Sequence, residues 1–104
     1  MSSILLEADA LVSGDRQNDY GHPYDNWTQT AALWSPILGV EVTAEQALMC
    51  MIAVKIVREL HKPTRDNRVD MAGYANCLDM VAVKRNVRTP PPCTDYYDGL
   101  NDAD

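Results

Sequence analysis

Two groups of polar side chains in the second half of the sequence have a spacing that places them together on helix surfaces. Lys55 and Arg58 are three residues apart, while Asp66, Asp70 and Tyr74 follow one another at intervals of four. Each group therefore shares one face of a helix. Cations in an otherwise apolar helix are costly to bury unless they have a partner or a ligand. These residues predict either salt bridges between two helices or a site for a phosphate or a metal–phosphate group.

A polar segment, residues 14–25, precedes these groups in the chain. It is rich in turn-forming residues, in side chains that form hydrogen bonds and in aromatics, and we expect an irregular loop. Loops of this length are often functional. If the loop folds over the same end of the protein, it adds four candidates for contacts with a phosphate, ribose or base: Arg16, Tyr20, His22 and Asn26.

The elements that position these residues are predicted to be four helices, so the fold class is all-α. Apolar periodicity indicates helices over 3–13, from about 25 to 39, over 43–61 and from about 66 to 87. Asp25 or Asn26 is expected to cap the second helix, and Pro36 to kink or end it. The third begins with a capping box formed by Thr43 and Gln46.

The last two helices are joined by only four residues, which predicts an antiparallel hairpin at the C-terminal end of the domain. Counting outward from the turn places Glu59 opposite Arg68 and Lys55 within reach of Asp70 and Tyr74. Residues 47–54 are uncharged and largely apolar, so this helix is expected to be the most buried element.

Composition limits the possible architectures and partners. The 104 residues suit one helical domain over 1–88, followed by an acidic, proline-rich tail over 89–104 that we expect to be flexible. Since 46% of the residues are hydrophobic, some apolar surface is expected to face another copy of the chain, giving a homo-oligomer. The net charge of −6 and the lack of a basic cluster argue against general nucleic-acid binding.

The three cysteines lack the spacing of a zinc site or a disulfide framework. The longest apolar run is too short to span a bilayer, and the first residues lack the basic region of a secretory signal. We therefore expect no association with a membrane and a cytoplasmic location.

Several segments together resemble an uncharacterised family of small bacteriophage proteins, over about residues 3–82. The resemblance implies a phage or prophage origin. The residues that carry it are Gly-Asp-Arg-Gln-Asn-Asp-Tyr-Gly-His-Pro (14–23), Asn26, Ala-Leu-Trp-Ser (32–35), Lys55 with Arg58, Asp66-Asn67, and Val69-Asp70-x-Ala-Gly-Tyr (69–74).

More distantly, the layout is similar to the MazG-like all-α nucleoside triphosphate pyrophosphohydrolases. That resemblance implies Mg²⁺ held by two acidic pairs on neighbouring helices. Asp66 and Asp70 stand where the second pair is expected and are the candidate metal ligands. Lys55 and Arg58 occupy the helix on which the first pair is expected. Further carboxylates would have to come from the N-terminal segment or a neighbouring subunit, the candidates being Glu7, Asp15 and Asp19.

Three functions remain open on the sequence. The first is a phage nucleotide-binding protein of MazG-like character, acting as a nucleoside triphosphate pyrophosphohydrolase if it is an enzyme. The second is a non-catalytic inhibitor that sequesters a nucleotide-derived signal of host defence or binds a host defence protein. The third is an interaction module whose charges form salt bridges. For nucleotide binding, the predicted contact residues are Arg16, Tyr20, His22, Asn26, Lys55, Arg58 and Tyr74.

Overall fold

A computed structural model describes residues 3–85, apart from the side chain of Asp15. These residues form five helices and no strand: α1 (Ile4–Ser13), α2 (Asp15–Tyr20), α3 (Pro23–Leu38), α4 (Ala44–His61) and α5 (Arg65–Arg85). The all-α prediction is confirmed, and α1, α3, α4 and α5 correspond to the four predicted helices. The expected end of the last helix near Val87 and the predicted tail over 89–104 lie outside the described residues.

The segment predicted as an irregular loop contains the six-residue helix α2, so the loop prediction is wrong for residues 15–20. Gly14 both ends α1 and begins α2. Its N–H donates to the carbonyl of Ala10, and its own carbonyl accepts from Asn18. Gly21 then ends α2 with φ of +84°, in the left-handed region that favours glycine. The turn-forming residues therefore mark the two ends of a short helix.

Helix α3 begins earlier than expected and continues past Pro36 to Leu38. His22, rather than Asp25 or Asn26, is its cap, because Nδ1 of His22 accepts a hydrogen bond of 3.0 Å from the backbone N–H of Tyr24. Pro23 is suited to the first helical position, which needs no N–H donor. Pro36 does not end the helix. Proline has no N–H to donate to the carbonyl of Ala32, four residues earlier. Both residues lie on the exposed side of the helix, where water can bond to the Ala32 carbonyl instead.

The core of the protein lies where α1, α4 and α5 meet. Its buried members are Val12, Ala44, Leu48, Cys77 and Val81, and partly buried aromatics including Trp27 and Tyr74 pack against them. The expectation that residues 47–54 form the most buried segment is wrong for the single chain. Ala47 and Leu48 are fully buried, whereas Met49 is 51% exposed and Val54 is 37% exposed. Helix α4 therefore buries one side only. Within residues 3–85, no helix is long and apolar enough to cross a membrane.

Helices α4 and α5 pack along each other through ion pairs in the predicted register. The Thr43–Gln46 capping box at the start of α4 is present. Glu59 Oε2 lies 2.7 Å from Arg68 Nε, and Lys55 Nζ lies 2.7 Å from Asp70 Oδ2. The two pairs keep the same order from the turn on both helices: Glu59 and Arg68 are nearer to it, and Lys55 and Asp70 are farther away.

The turn between α4 and α5 is closed by a polar network around Glu59. Its Oε1 accepts hydrogen bonds from the backbone N–H of Thr64 at 2.9 Å and from the buried amide of Asn67 at 3.2 Å. The Asn67 amide also donates to the carbonyl of Lys62. Thr64 Oγ1 accepts from the backbone N–H of Asn67, so the predicted cap at Asp66 or Asn67 is replaced by Thr64. These donors, led by the backbone of Thr64, lower the pKa of Glu59 from its ordinary value of 4.5.

This lowered pKa predicts a specific loss of stability in acid. A carboxyl group with a lowered folded-state pKa contributes stability that is complete above its unfolded pKa and disappears as the pH falls through the folded value. We expect the wild type to be more stable than a Glu59→Gln variant at neutral pH. The difference should shrink as the pH falls below 4.5.

Urea unfolding of both proteins between about pH 7 and pH 3 measures this difference directly, since the other carboxyl groups titrate in both proteins. A difference that stays constant across that range would contradict the assignment.

Candidate functional site: a pocket between the short helix and the last helix

A pocket of about 290 Å³ lies between α1, α2, the start of α3 and the first half of α5. Its base is formed by apolar side chains such as Val12 and Val69. Five of the residues predicted to form a site line this one pocket: Arg16, Tyr20, Asn26, Asp70 and Tyr74. The pocket thus has Arg16 and Tyr20 in its lining together with Asp70 and Tyr74, and the first two lie on helix α2 rather than in the expected loop.

Aromatic rings form one wall of the pocket. Trp27 and Tyr74 meet edge to face, with ring centroids 5.9 Å apart and planes inclined at 88°. This arrangement is favourable and holds both rings in place. Tyr20 stands at the rim, 64% exposed. The wall offers aromatic surface to a planar ligand.

The charges around the pocket leave one cation without a counter-ion. The Asp70 carboxylate on its wall is paired with Lys55, whose side chain is only 12% exposed. Arg16 is the only cation among the described residues that line the pocket, and it forms no ion pair with any side chain that the structure describes. The pocket is therefore suited to an anionic group, which a guanidinium can bind through two parallel hydrogen bonds.

Cys77 is a buried residue in the lining of the pocket, and its pKa is affected by neighbouring pocket residues. Burial raises the pKa of the Cys77 thiol, while the guanidinium of Arg16 and a hydrogen bond from Trp27 act in the opposite direction. The Arg16 side chain, although exposed, is thus close enough to act electrostatically on the pocket interior. A raised pKa keeps this thiol neutral, which is typical of a structural cysteine rather than a nucleophile.

The structure does not bring every predicted residue into the pocket. Nδ1 of His22 is engaged in capping α3. Lys55 lies behind the wall and acts on the pocket through Asp70. Arg58 lies elsewhere, in a shallow depression beside the α4–α5 turn that it shares with His61. Lys55 and Arg58 therefore do not form a joint phosphate clamp within one chain.

The two carboxylates proposed as metal ligands, those of Asp66 and Asp70, have different surroundings. Asp70 is held by Lys55, and Asp66 is exposed in the first turn of α5. Among the described residues, no three His, Cys, Asp or Glu side chains form a group that could hold a metal ion. Mg²⁺ prefers six oxygen ligands in octahedral geometry. Within residues 3–85 of one chain, the described side chains do not provide such a set, and Asp66 and Asp70 would need further oxygen donors.

Two N-terminal carboxylates that were candidates for further metal ligands, Glu7 and Asp19, lie outside the pocket lining. Glu7 Oε2 pairs with Arg65 Nη2 at 2.6 Å, and Asp19 is exposed on α2.

Trp27 and Gln17 also line the pocket but were not among the residues that the sequence assigned to the site. For Trp27 a signal existed: Pro23, Asn26 and Trp27 follow the spacing of one helix face, and Asn26 was already a candidate. For Gln17 no signal existed, because the helical form of residues 15–20 was not predicted.

Comparison with known proteins identifies the family. Residues 3–82 match a family described as a domain of unknown function, DUF6378. The chain belongs to this family. Two curated proteins are similar to the chain. The Gene 55 protein of Mycobacterium phage D29 is 42% identical to it over 82 residues, and the Gene 55 protein of Mycobacterium phage L5 is 37% identical over 90 residues.

These matches cover 76% and 85% of the DUF6378 chain, but 53% and 58% of the two phage proteins. The chain thus spans somewhat more than half the length of the curated relatives it matches. The predicted bacteriophage origin is supported by both relatives. No solved structure matches the chain.

Proposed function

We propose that this DUF6378 protein binds a nucleotide in the pocket between α2 and α5. The observation that carries the proposal is the combination, in one cavity, of an aromatic wall with Arg16, a guanidinium that has no ion-pair partner among the described side chains. A cavity of this volume accommodates a base with part of its sugar, near the lower end of the range for ligand pockets. The phosphates would extend outward past Arg16 into solvent.

Each pocket residue has a role in this arrangement. The rings of Trp27 and Tyr74 contact the base, and Tyr20 covers it from the rim. Asn26 supplies an amide that can both donate and accept hydrogen bonds at the base edge. Asp70, fixed by Lys55, accepts hydrogen bonds from ribose hydroxyls or from base N–H groups.

Binding without hydrolysis is the form of this function that the pocket composition favours. Among the described lining residues the one carboxylate is that of Asp70, and it is already paired with Lys55. Sequestration of a nucleotide-derived signal needs only the groups present in the pocket. Pyrophosphohydrolysis of MazG-like character would need carboxylates contributed by a second chain or by residues outside 3–85.

Tryptophan fluorescence tests binding, since Trp27 lies in the pocket and the remaining tryptophan, Trp34, does not line it. In a Trp34→Phe variant, we expect a bound nucleotide to change the emission of Trp27 saturably. A panel of nucleoside mono-, di- and triphosphates and cyclic dinucleotides, with and without Mg²⁺, identifies the class. Emission that is unchanged by every member up to about 1 mM would overturn the proposal.

Mass spectrometry of the same mixtures separates the two forms of the function. Nucleotide recovered unaltered from the denatured protein supports sequestration. Released pyrophosphate with a nucleoside monophosphate supports hydrolysis, and then substitution of Asp66 and Asp70 by Asn identifies whether these carboxylates contribute.

A further inference from the structure

The side of α4 that faces away from the core carries a continuous row of exposed apolar side chains. Met49 is 51% exposed, Ile56 47%, Val57 64% and Leu60 81%. Val54, Cys50 and Ala53 are also exposed on the same helix. We call the exposed surface formed by Met49, Cys50, Ala53, Val54, Ile56, Val57 and Leu60 the outer face of α4. Among the described residues, nothing covers it.

The spacing within the outer face is that of a helix packing against another helix. Met49, Ala53, Ile56 and Leu60 follow one another at intervals of four, three and four residues. This alternation places them in one seam, as at the contact positions of a coiled coil. Ala53, the smallest of the four, lies near the middle, where a second helix can approach most closely.

The outer face is also nearly free of charge. Between residues 46 and 57 the only charged side chain is Lys55, and it points inward to Asp70. Acidic residues near both ends of α4 are already engaged within the chain, Glu45 with Arg85 at 2.9 Å and Glu59 with Arg68 at 2.7 Å. A partner is therefore expected to bind the outer face through apolar contacts rather than through charge pairs.

We propose that the outer face of α4 binds the same face of a second copy of the chain, with the two helices antiparallel and crossing at Ala53. The exposed fractions leave roughly 500 Å² of large apolar side chains uncovered, as much as the largest patch on a typical monomer. Together with Cys50, Ala53 and the polar ends, this approaches the ~800 Å² per partner of a standard stable interface.

The C-terminal residues of the same chain are a poorer occupant by composition. Residues 89–104 contain four aspartates and three prolines, and their large apolar residues are two tyrosines and one leucine. Their sequence lacks the repeated apolar spacing that would fill the seam. A second α4 has that spacing.

Sedimentation equilibrium tests this interface with two matched valine substitutions. We expect the wild type to have twice the 11.6 kDa mass of one chain. Val57→Lys, in the outer face, should reduce the mass to that of one chain. Val83→Lys, at a similarly exposed valine of α5, should leave it unchanged. Circular dichroism and thermal unfolding verify that both variants remain folded, which their exposure predicts.

A wild type that remains at 11.6 kDa over about 1–100 μM overturns the proposal. So does a folded Val57→Lys protein that keeps the mass of the wild type, or a Val83→Lys protein that loses it.

Cross-linking tests the antiparallel crossing separately. In a background with Cys50 and Cys93 replaced by serine, Ala53→Cys should form an intermolecular disulfide on mild oxidation, because the two-fold axis brings these residues together. Gln29→Cys, exposed on α3, is the control in the same background. Equal cross-linking at both positions, or none at position 53, contradicts the crossing.

Discussion

Replacing Arg16 with alanine is expected to weaken nucleotide binding about 10- to 100-fold, because a hydrogen bond to a charged group contributes about 1.5–3 kcal/mol and each 1.4 kcal/mol is a factor of ten. The protein itself should keep its stability, since Arg16 is exposed and has no ion pair among the described side chains. Titration of the Trp34→Phe variant with and without the Arg16 substitution measures the ratio of dissociation constants.

Arg58→Ala is the matched control. The sequence alone favours Arg58 as the phosphate clamp, whereas the structure places it in a separate depression beside the turn. We expect the Arg58 variant to bind within about two-fold of the wild type, because no direct hydrogen bond to the ligand is lost. If Arg58→Ala abolishes binding while Arg16→Ala leaves it intact, the ligand binds near the turn and the pocket proposal is wrong.

Replacing Lys55 with methionine is expected to destabilise the protein by about 2 kcal/mol. Methionine keeps most of the apolar stem, but the Asp70 carboxylate then remains on the pocket wall without a counter-ion. Breaking a buried ion pair costs about 3–5 kcal/mol, and the lower figure follows from the 28% exposure of the Asp70 side chain. Urea denaturation measures the change.

A double-mutant cycle isolates the Lys55–Asp70 interaction. Combining Lys55→Met with Asp70→Asn should restore part of the lost stability, since no charge is then left unpaired. Lys84→Met provides the comparison, because Lys84 lies 3.8 Å from Asp25 and both side chains are about half exposed. Its cost should be within about 0.5 kcal/mol. Equal costs for the two lysines would show that the Lys55 pair is not desolvated.

Much of the scaffold could be predicted because its signals are local. The capping box at Thr43 requires only four residues, and it is present. The pairing of Glu59 with Arg68 follows from counting outward from a short turn, and it is also present. Both inferences rest on regular helix geometry, which the sequence determines within a few residues.

The candidate site was predicted in part, because its residues come from four different helices. Arg16, Tyr20, Asn26, Asp70 and Tyr74 were expected to meet and do line one pocket. Arg58 was grouped with Lys55 by helical spacing alone. A separation of three residues leaves two side chains about 60° apart around the helix, so one can face a packed neighbour while the other lies beside that contact. Which of the two side chains faces the neighbouring helix depends on tertiary packing, and that packing cannot be read from the spacing in the sequence.

The order of helix α2 also affects how tightly the pocket can bind. A six-residue helix is not stable by itself, because nucleation is costly, so its order depends on contacts with α1 and α3. Local opening of such an element costs much less than global unfolding. The measured affinity is then the intrinsic affinity reduced by the fraction of molecules in which α2 is formed. A ligand bound by Arg16 would raise that fraction, so amide exchange in residues 15–20 should slow when the pocket is occupied.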